Sequence, residues 1–203
     1  MVWMISDIVK PAVVRIITPA AKGFLRMGLT PNVVTILGAI GVVLSSFYFY
    51  VDSRFFLGTL VVALFILSDL FDGTMARISE QGSSPWGGFL DSTLDRITDA
   101  SIIIALLLGL NKTQDQLIPV LLVALLTGML VPYIRAKAES LGIECSGGIA
   151  ERTERLVIVL VFTALHGLNV PYALTLGMWL LAILGTVTVI QRILIVKRAV
   201  RSK

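Results

Sequence analysis

The chain has 203 residues, of which 56% are hydrophobic and only 15% are charged, and its mean hydropathy is +0.91. A globular domain carries roughly 25% charged residues and about 45–50% apolar ones. The composition therefore excludes a soluble domain, a disordered chain and, despite the net charge of +4, a nucleic-acid-binding protein. We predict a membrane protein with room for at most about seven or eight helices of about 20 residues, and expect any chemistry on these helices or at their ends.

The predicted elements begin with a helix on the membrane surface and continue with six membrane spans. Residues 3–27 mix apolar side chains with four basic residues and two prolines, which is typical of an amphipathic helix in the headgroup plane. Thr30-Pro31-Asn32 then supplies a helix start, and polar turns separate the apolar stretches that follow. We predict an all-α polytopic membrane protein, one domain over residues 1–203, with a six-helix bundle at 33–196, spans at 33–51, 54–79, 88–110, 117–138, 149–165 and 172–196, and a basic tail at 197–203.

The distribution of basic residues predicts how the spans are oriented. If both termini are cytoplasmic, all of the 17 lysines and arginines except Arg54 and Lys112 lie on the cytoplasmic side. This is the asymmetry that the positive-inside rule describes, and an odd number of spans would remove it. We therefore expect both termini and the polar ends of spans two and three to face the cytoplasm.

Four aspartates lie where a membrane protein should avoid charge. Asp69 and Asp72 are three residues apart in span two, and Asp91 and Asp95 are four apart in span three, so each pair lies on one helix face. A charged aspartate near a span costs about 2.5–3.5 kcal/mol, so four of them need a compensating cation. Carboxylate oxygens suit Mg²⁺ or Mn²⁺, and zinc is disfavoured because no His or Cys is nearby. We predict a site for one or two divalent ions.

A rim of salt bridges at the cytoplasmic surface is the alternative for these acids. Arg77 and Arg96 are close in sequence to the four aspartates and are able to neutralise them. Two helix-spaced pairs on consecutive spans favour the metal site. For Asp99 and Glu80, a role in the salt-bridge rim is as well supported as a role in the site.

The acids belong to a longer pattern, Asp69-x-x-Asp72-Gly73-x-x-Ala76-Arg77, then nine residues, then Gly87-x-x-x-Asp91-x-x-x-Asp95. This pattern resembles the signature of the CDP-alcohol phosphotransferase family, whose members are integral membrane enzymes with six spans. The interval between the arginine and the second glycine is one residue longer here than is usual in the family. This leaves open whether Ser83 or Ser84 corresponds to a hydroxyl that contacts the donor.

The resemblance implies a reaction in which an alcohol attacks the β-phosphate of a CDP-linked lipid and CMP leaves. It implies that all four aspartates hold a pair of divalent ions, Mg²⁺ with Mn²⁺ able to substitute, and that Asp95 is also the general base. The residues implied for binding CDP-diacylglycerol are Asn32, Val33, Val34, Thr35, Gly73, Arg77, Ser83 and Ser84. For the segment at 32–35, an ordinary interfacial helix cap is the alternative to this role.

Basic residues in the C-terminal half form a second candidate site: Arg135 and Lys137 at the end of span four, Arg152 and Arg155 at the start of span five, and Arg192 in span six. Arg135 lies near the end of span four, and Arg155 and Arg192 lie inside apolar spans five and six. An arginine in such a position needs an anion, and its guanidinium binds phosphate in a bidentate manner. We predict that these side chains bind the phosphate of a phosphorylated acceptor. The alternative is internal pairing with Glu139, Glu151 or Glu154.

Several C-terminal segments are similar to an actinobacterial branch of the same family: residues 133–139, 147–156 and 177–181, and Gln191-Arg192. The similarity implies that CDP-diacylglycerol and inositol 1-phosphate are the substrates and phosphatidylinositol phosphate is the product. We also expect a homodimer in the lipid bilayer of a bacterial plasma membrane, with the site facing the cytoplasm. Three alternatives stay open: glycerol 3-phosphate as acceptor, giving phosphatidylglycerol phosphate; an Asp-rich membrane prenyltransferase; and an ion channel or transporter.

Overall fold

A computed structural model describes residues 17–79, 82, 84–110 and 115–201. These residues form α-helices, one short 3₁₀ helix and connecting turns, with no β-strand among them. Within the described ranges, four helical segments are long and apolar enough to cross a membrane: Pro31–Tyr50, Phe55–Ile78, Ile118–Ser140 and Ala173–Arg201. The prediction of an all-helical chain with several membrane helices is confirmed, whereas two of the six predicted spans do not meet these criteria of length and composition.

The first two described helices are α1, at residues 17–26, and α2, at Pro31–Tyr50. The rest of the predicted surface helix, residues 3–16, lies outside the described residues. A turn at Gly28, whose φ is 80°, separates the two helices. α2 begins at the predicted start signal, because the fixed φ of Pro31 suits the first helical position and the Thr30 hydroxyl accepts a hydrogen bond from the Val33 N–H at 3.4 Å.

Predicted span two is divided into two consecutive helices, α3 at Phe55–Ile66 and α4 at Ser68–Ile78. The division falls at Leu67. The Leu67 N–H bonds to the carbonyl of Ala63, four residues back, whereas the Leu70 N–H bonds to the Leu67 carbonyl, three residues back. The first acidic pair therefore lies in the first half of a short polar helix, directly after this tightened turn.

α5 covers Pro85–Leu110 and begins three residues before the predicted span three. Ser84 caps this helix, because its hydroxyl accepts a hydrogen bond from the Gly87 N–H at 3.0 Å and Pro85 occupies the first helical position. Residues 85–87, which lie between predicted spans two and three, are therefore helical. Asp91 and Asp95 lie well inside the helix.

The C-terminal half contains α6 at Ile118–Ser140, α7 at Arg152–Gly167 and α8 at Ala173–Arg201, with a 3₁₀ helix at Asp115–Leu117 leading into α6. α8 extends through most of the segment predicted to be a tail. The helix continues this far because Lys197 and Arg198 are good helix formers and neither Gly nor Pro follows them before Arg201.

α7 begins at Arg152, three residues after the predicted start of span five. Gly147 and Gly148 have φ values of 108° and 138°, which are not helical. The Ile149 N–H donates to the Gln191 side chain and the Ala150 N–H donates to the Thr188 hydroxyl, each at 3.2 Å. Residues 149 and 150 are therefore hydrogen-bonded to side chains of α8 and are not part of α7. The 16 residues that remain in α7 span about 24 Å at 1.5 Å per residue, and this length is why α7 is not among the four membrane helices named above.

The chain forms two compact units, and each contains one of the predicted sites. The first comprises residues 1–43 and 62–98 and contains all four aspartates of the predicted metal site. Within it Phe24 of α1 packs edge-on against Phe71 of α4, with 5.7 Å between ring centroids. The second comprises residues 44–61 and 99–203 and contains the three predicted acceptor arginines, and there α8 packs against both α6 and α7.

Candidate active site

The two aspartates on α4 are buried to different extents. Asp69 is half-buried, whereas only 7% of Asp72 is exposed. The Thr35 hydroxyl of α2 lies within hydrogen-bonding reach of the Asp72 carboxylate and of the Pro31 carbonyl. The second carboxylate oxygen of Asp72, Oδ2, is buried without a hydrogen-bond partner. A buried carboxylate oxygen in this state is energetically costly and needs a cation or a donor.

The acidic pair on α5 is more open to solvent. Asp91 is exposed, and Asp95 is half-buried with its Oδ2 3.4 Å from Arg96 Nη2. The charges of Asp69 and Asp91 both act on Asp72, so α4 and α5 bring three carboxylates into one neighbourhood. The contact to Arg96 is of the kind expected for a salt-bridge rim, whereas the buried Asp72 is not.

The chemistry of these side chains fits a divalent cation. Carboxylate oxygens are the ligands that Mg²⁺ and Mn²⁺ prefer, and a cation would replace the repulsion among the three acids with attraction. In the described part of the chain, no three acidic, His or Cys side chains stand at the separation of a closed metal cage.

The segment at 32–35 contacts α4 and α5 through its side chains. Asn32 Oδ1 lies 3.1 Å from the position that a β-carbon on Gly87 would take, so a larger residue at position 87 would make the Asn32 side chain shift by a few tenths of an ångström. The backbone N–H groups of Val33 and Val34 bond to the Thr30 carbonyl at 3.1 and 3.3 Å, as in an ordinary helix cap. Asn32 and Thr35, rather than these two N–H groups, are the parts of the segment that reach the acidic helices.

The remaining predicted donor-binding residues lie on either side of the turn between α4 and α5. Arg77 is exposed in the last turn of α4, and its Nη2 lies 4.0 Å from the position of a β-carbon on Gly73, so the side chain lies back along the helix. The Ser84 hydroxyl caps α5. Ser83 lies outside the described residues.

The three predicted acceptor arginines have different partners in the second unit. Arg135 is exposed and its Nε donates to Glu139 at 2.8 Å, which is the internal pairing considered as the alternative. Arg192 is buried, with Nε donating to the Gly147 carbonyl at 3.0 Å and Nη1 to the Val131 carbonyl at 2.8 Å. Backbone carbonyls rather than carboxylates therefore anchor Arg192.

Arg155 has a partner that was not predicted for it. Its Nη1 donates to the Ala150 carbonyl at 3.2 Å, and its Nη2 lies 3.9 Å from Asp99, which also accepts a hydrogen bond from Arg152. The sequence contains a signal for Asp99, because residues 91, 95 and 99 continue one stripe along α5 at intervals of four. Its partners more than 50 residues away have no such local signal.

A comparison with known proteins shows the family of the chain. A family model described as CDP-alcohol phosphatidyltransferase matches residues 28–194, a range that includes all four aspartates and all three arginines. The chain belongs to the CDP-alcohol phosphatidyltransferase family. The resemblance stated from the aspartate pattern and the predicted class of enzyme, a transferase, are confirmed.

Several relatives within this family are similar over most of their length. A phosphatidylinositol phosphate synthase of Streptomyces avermitilis is 40% identical over 204 aligned residues, which cover 96% of this chain and 83% of that protein. The structure of the Mycobacterium tuberculosis phosphatidylinositol phosphate synthase with CDP-DAG bound has a TM-score of 0.85 and 40% identity, covering 90% of this chain and 94% of that one. The structure of the same synthase with manganese and citrate also has a TM-score of 0.85, with 39% identity over 89% of this chain and 88% of that one.

Proposed function

We propose that the chain transfers the phosphatidyl group of CDP-diacylglycerol to a hydroxyl of inositol 1-phosphate, giving phosphatidylinositol phosphate and CMP. The observation that carries this proposal is the grouping of Asp69 and Asp91 around Asp72, whose buried oxygen has no hydrogen-bond partner. Relatives at about 40% identity named phosphatidylinositol phosphate synthase support the choice of substrates, as does the bound CDP-DAG in one of them.

In this proposal Asp69, Asp72, Asp91 and Asp95 hold two divalent ions, Mg²⁺ in the cell, with Mn²⁺ able to substitute. Bound ions neutralise the pyrophosphate and stabilise the negative charge that develops on the leaving CMP. Manganese in the structure of a relative supports the use of a divalent metal. The four carboxylates position the donor phosphates along α4 and α5.

Asp95 is proposed as the general base. The acceptor oxygen forms a bond to the β-phosphorus of the donor, the bond from that phosphorus to the CMP phosphate breaks, and the hydroxyl proton passes to the Asp95 carboxylate. Asp95 suits this role because it is half-buried yet reached by solvent, and because the Arg96 guanidinium 3.4 Å away holds one of its oxygens in place.

The donor nucleotide is proposed to bind where the start of α2 meets the start of α5. Asn32 and Thr35 present side chains there, and Gly73 leaves room beside the α4 backbone. The exposed guanidinium of Arg77 supplies a charge-assisted contact to the pyrophosphate. The other residues proposed for this site are Val33, Val34, Ser83 and Ser84.

The phosphate of the acceptor is proposed to bind Arg135, Arg155 and Arg192. Arg192 uses Nε and Nη1 for two backbone carbonyls, and the remaining donors of its planar guanidinium are the ones proposed to bind the phosphate. Arg135 exchanges its contact with Glu139 for the phosphate, which costs little because both side chains are about half exposed.

We further propose that α5 and α7 complete a six-span bundle, with both termini in the cytoplasm of a bacterium and a homodimer in its plasma membrane. The charge asymmetry supports the orientation, since only Arg54 and Lys112 of the 17 basic residues would lie outside. The apolar second half of α5, Ile102 to Leu110, supports its insertion. Cysteine-accessibility labelling of residues 54 and 197 from the two sides of sealed vesicles tests the orientation.

The function is tested by offering labelled CDP-diacylglycerol with inositol 1-phosphate, free inositol or glycerol 3-phosphate to the purified chain. We expect inositol 1-phosphate to be converted fastest and EDTA to abolish transfer. Faster turnover of glycerol 3-phosphate would overturn the choice of acceptor but not the family. Equal use of free and phosphorylated inositol would overturn the arginine site, and transfer without a divalent ion would overturn the metal site.

A further inference from the structure

Asp99 lies between two arginines at the start of α7. Its Oδ1 accepts a hydrogen bond from Arg152 Nε at 3.3 Å, and its Oδ2 lies 3.9 Å from Arg155 Nη2. The side chains of Asp99, Arg152 and Arg155 are 18%, 25% and 9% exposed, so the cluster is largely removed from water. One carboxylate therefore holds two guanidinium groups, each through a different oxygen.

The surroundings of the cluster restrain Arg155 further. Arg155 Nη1 donates to the Ala150 carbonyl at 3.2 Å, and the Ala150 N–H donates to the Thr188 hydroxyl on α8 at 3.2 Å. Asp99 and Arg155 also line a cavity of about 40 Å³ whose other lining residues are apolar. Ionic contacts are stronger in such an environment than at the surface, and two arginines without a carboxylate between them would repel each other.

We propose that Asp99 is a positioning residue for the phosphorylated acceptor and that Arg152 belongs to the acceptor site. Asp99 holds Arg152 and Arg155 side by side, so that both guanidinium groups meet the acceptor phosphate in one arrangement. Two guanidinium groups held by one carboxylate offer several N–H donors to a phosphate, a contact that a neutral polyol does not make. The inference rests on the proposed arginine site and deepens it.

The test is the Michaelis constant for inositol 1-phosphate in Asp99→Asn, which keeps the shape of the side chain and removes its charge. We expect the KM for inositol 1-phosphate to rise by about tenfold, with kcat and the KM for CDP-diacylglycerol changed by less than about twofold. Asp52→Asn is the matched control, because it removes the same charge from an exposed pair with Arg54 and should change neither constant. A lower KM in Asp99→Asn would mean that Asp99 competes with the phosphate for the arginines. An unchanged KM with a reduced kcat would mean that Asp99 acts in the chemical step. Either result overturns the proposal.

A mutant cycle separates positioning from a merely structural role. If Asp99 acts through Arg152 and Arg155, adding Asp99→Asn to a chain that already carries both Arg152→Ala and Arg155→Ala should raise the KM by less than about twofold more, whereas independent effects would multiply and overturn the proposal. Asp99→Glu is a second variant that keeps the charge but moves it. Its KM should also rise, and because KM does not depend on the fraction of folded enzyme, the value is readable at low yield.

The two proposals fail in different ways. If Arg155→Ala leaves the KM for inositol 1-phosphate unchanged, the arginine site itself is wrong. If Arg155→Ala raises that KM while Asp99→Asn and Asp99→Glu do not, the arginine site stands and only the positioning role of Asp99 is overturned.

Discussion

Replacing Asp72 with asparagine should abolish catalysis without weakening the fold. Asp72 is buried, its Oδ2 has no hydrogen-bond partner, and the charges of Asp69 and Asp91 act on it. Asparagine has nearly the same shape and retains an oxygen for the Thr35 hydroxyl, but it removes the charge. The variant therefore loses a metal ligand and also loses a source of repulsion.

The size of both effects follows from the position of Asp72 on α4. Asp69 and Asp72 are three residues apart on the helix, which puts their β-carbons about 5–6 Å apart. Two like charges about 6 Å apart repel by about 3 kcal/mol at an effective dielectric constant of about 20, and solvent at the half-buried Asp69 reduces this to about 1–3 kcal/mol. The metal-free variant should therefore be as stable as the wild type or more stable by up to that amount.

Two measurements on purified protein test this prediction. Thermal unfolding in EDTA should give a midpoint for Asp72→Asn that is equal to or higher than that of the wild type. Adding Mn²⁺ to about 100 times its dissociation constant should stabilise the wild type by about 2.7 kcal/mol and leave the variant nearly unchanged. Turnover with saturating metal should fall by several orders of magnitude, because a lost ligand both weakens metal binding and misplaces the donor phosphates.

Either of two results would refute the reasoning about Asp72. The first is more than about a tenth of wild-type turnover in the variant, which corresponds to a barrier change below about 1.4 kcal/mol. The second is an equal Mn²⁺-dependent rise of the unfolding midpoint in both proteins. Asp52→Asn serves as the control, since it removes an exposed carboxylate paired with Arg54 and should alter neither readout.

The remaining predictions concern the base, the acceptor arginines and the junction of α7 with α8. Asp95→Asn should lower kcat by about 10²–10⁴-fold with little change in donor KM, because base catalysis is lost while donor contacts remain. Arg155→Ala and Arg192→Ala should each raise the KM for inositol 1-phosphate by about 10–100-fold, since a charge-assisted contact to phosphate contributes about 1.5–3 kcal/mol. Thr188→Val should lower the free energy of unfolding by about 1–3 kcal/mol, because it leaves the buried Ala150 N–H without an acceptor, whereas Thr188→Ser keeps the hydroxyl and should cost less.

Each of these has a contrary outcome that steady-state kinetics or denaturant unfolding would reveal. Weaker CDP-diacylglycerol binding as the main effect of Asp95→Asn would assign that residue to the metal site alone. A rise in the KM for free inositol in the arginine variants would contradict a phosphate contact. A free energy of unfolding for Thr188→Val equal to that of the wild type would mean that the hydrogen bond from the Ala150 N–H does not stabilise the fold.

Much of the aspartate site was predictable because its spacing is local. Residues three or four apart lie on one face of any α-helix, so the pairs at 69 and 72 and at 91 and 95 follow from helical periodicity once both segments are helical. The start of α2 was predictable for a similar reason, because Thr30 and Pro31 act within one turn. The Ser84-Pro85 pair is a start signal of the same kind, and α5 begins there.

What the sequence by itself determined is therefore the class of the fold, from composition, and the presence and local spacing of the site residues, from helical periodicity. The tertiary structure alone decided which distant groups meet. The Asp72 carboxylate lies against Thr35, Asn32 lies beside Gly87, and Asp99 binds arginines 53 and 56 residues further on. Such pairings depend on how whole helices rotate and pack, which many side chains determine together. The residues that come into contact therefore show no periodic pattern in the sequence that would predict the contact.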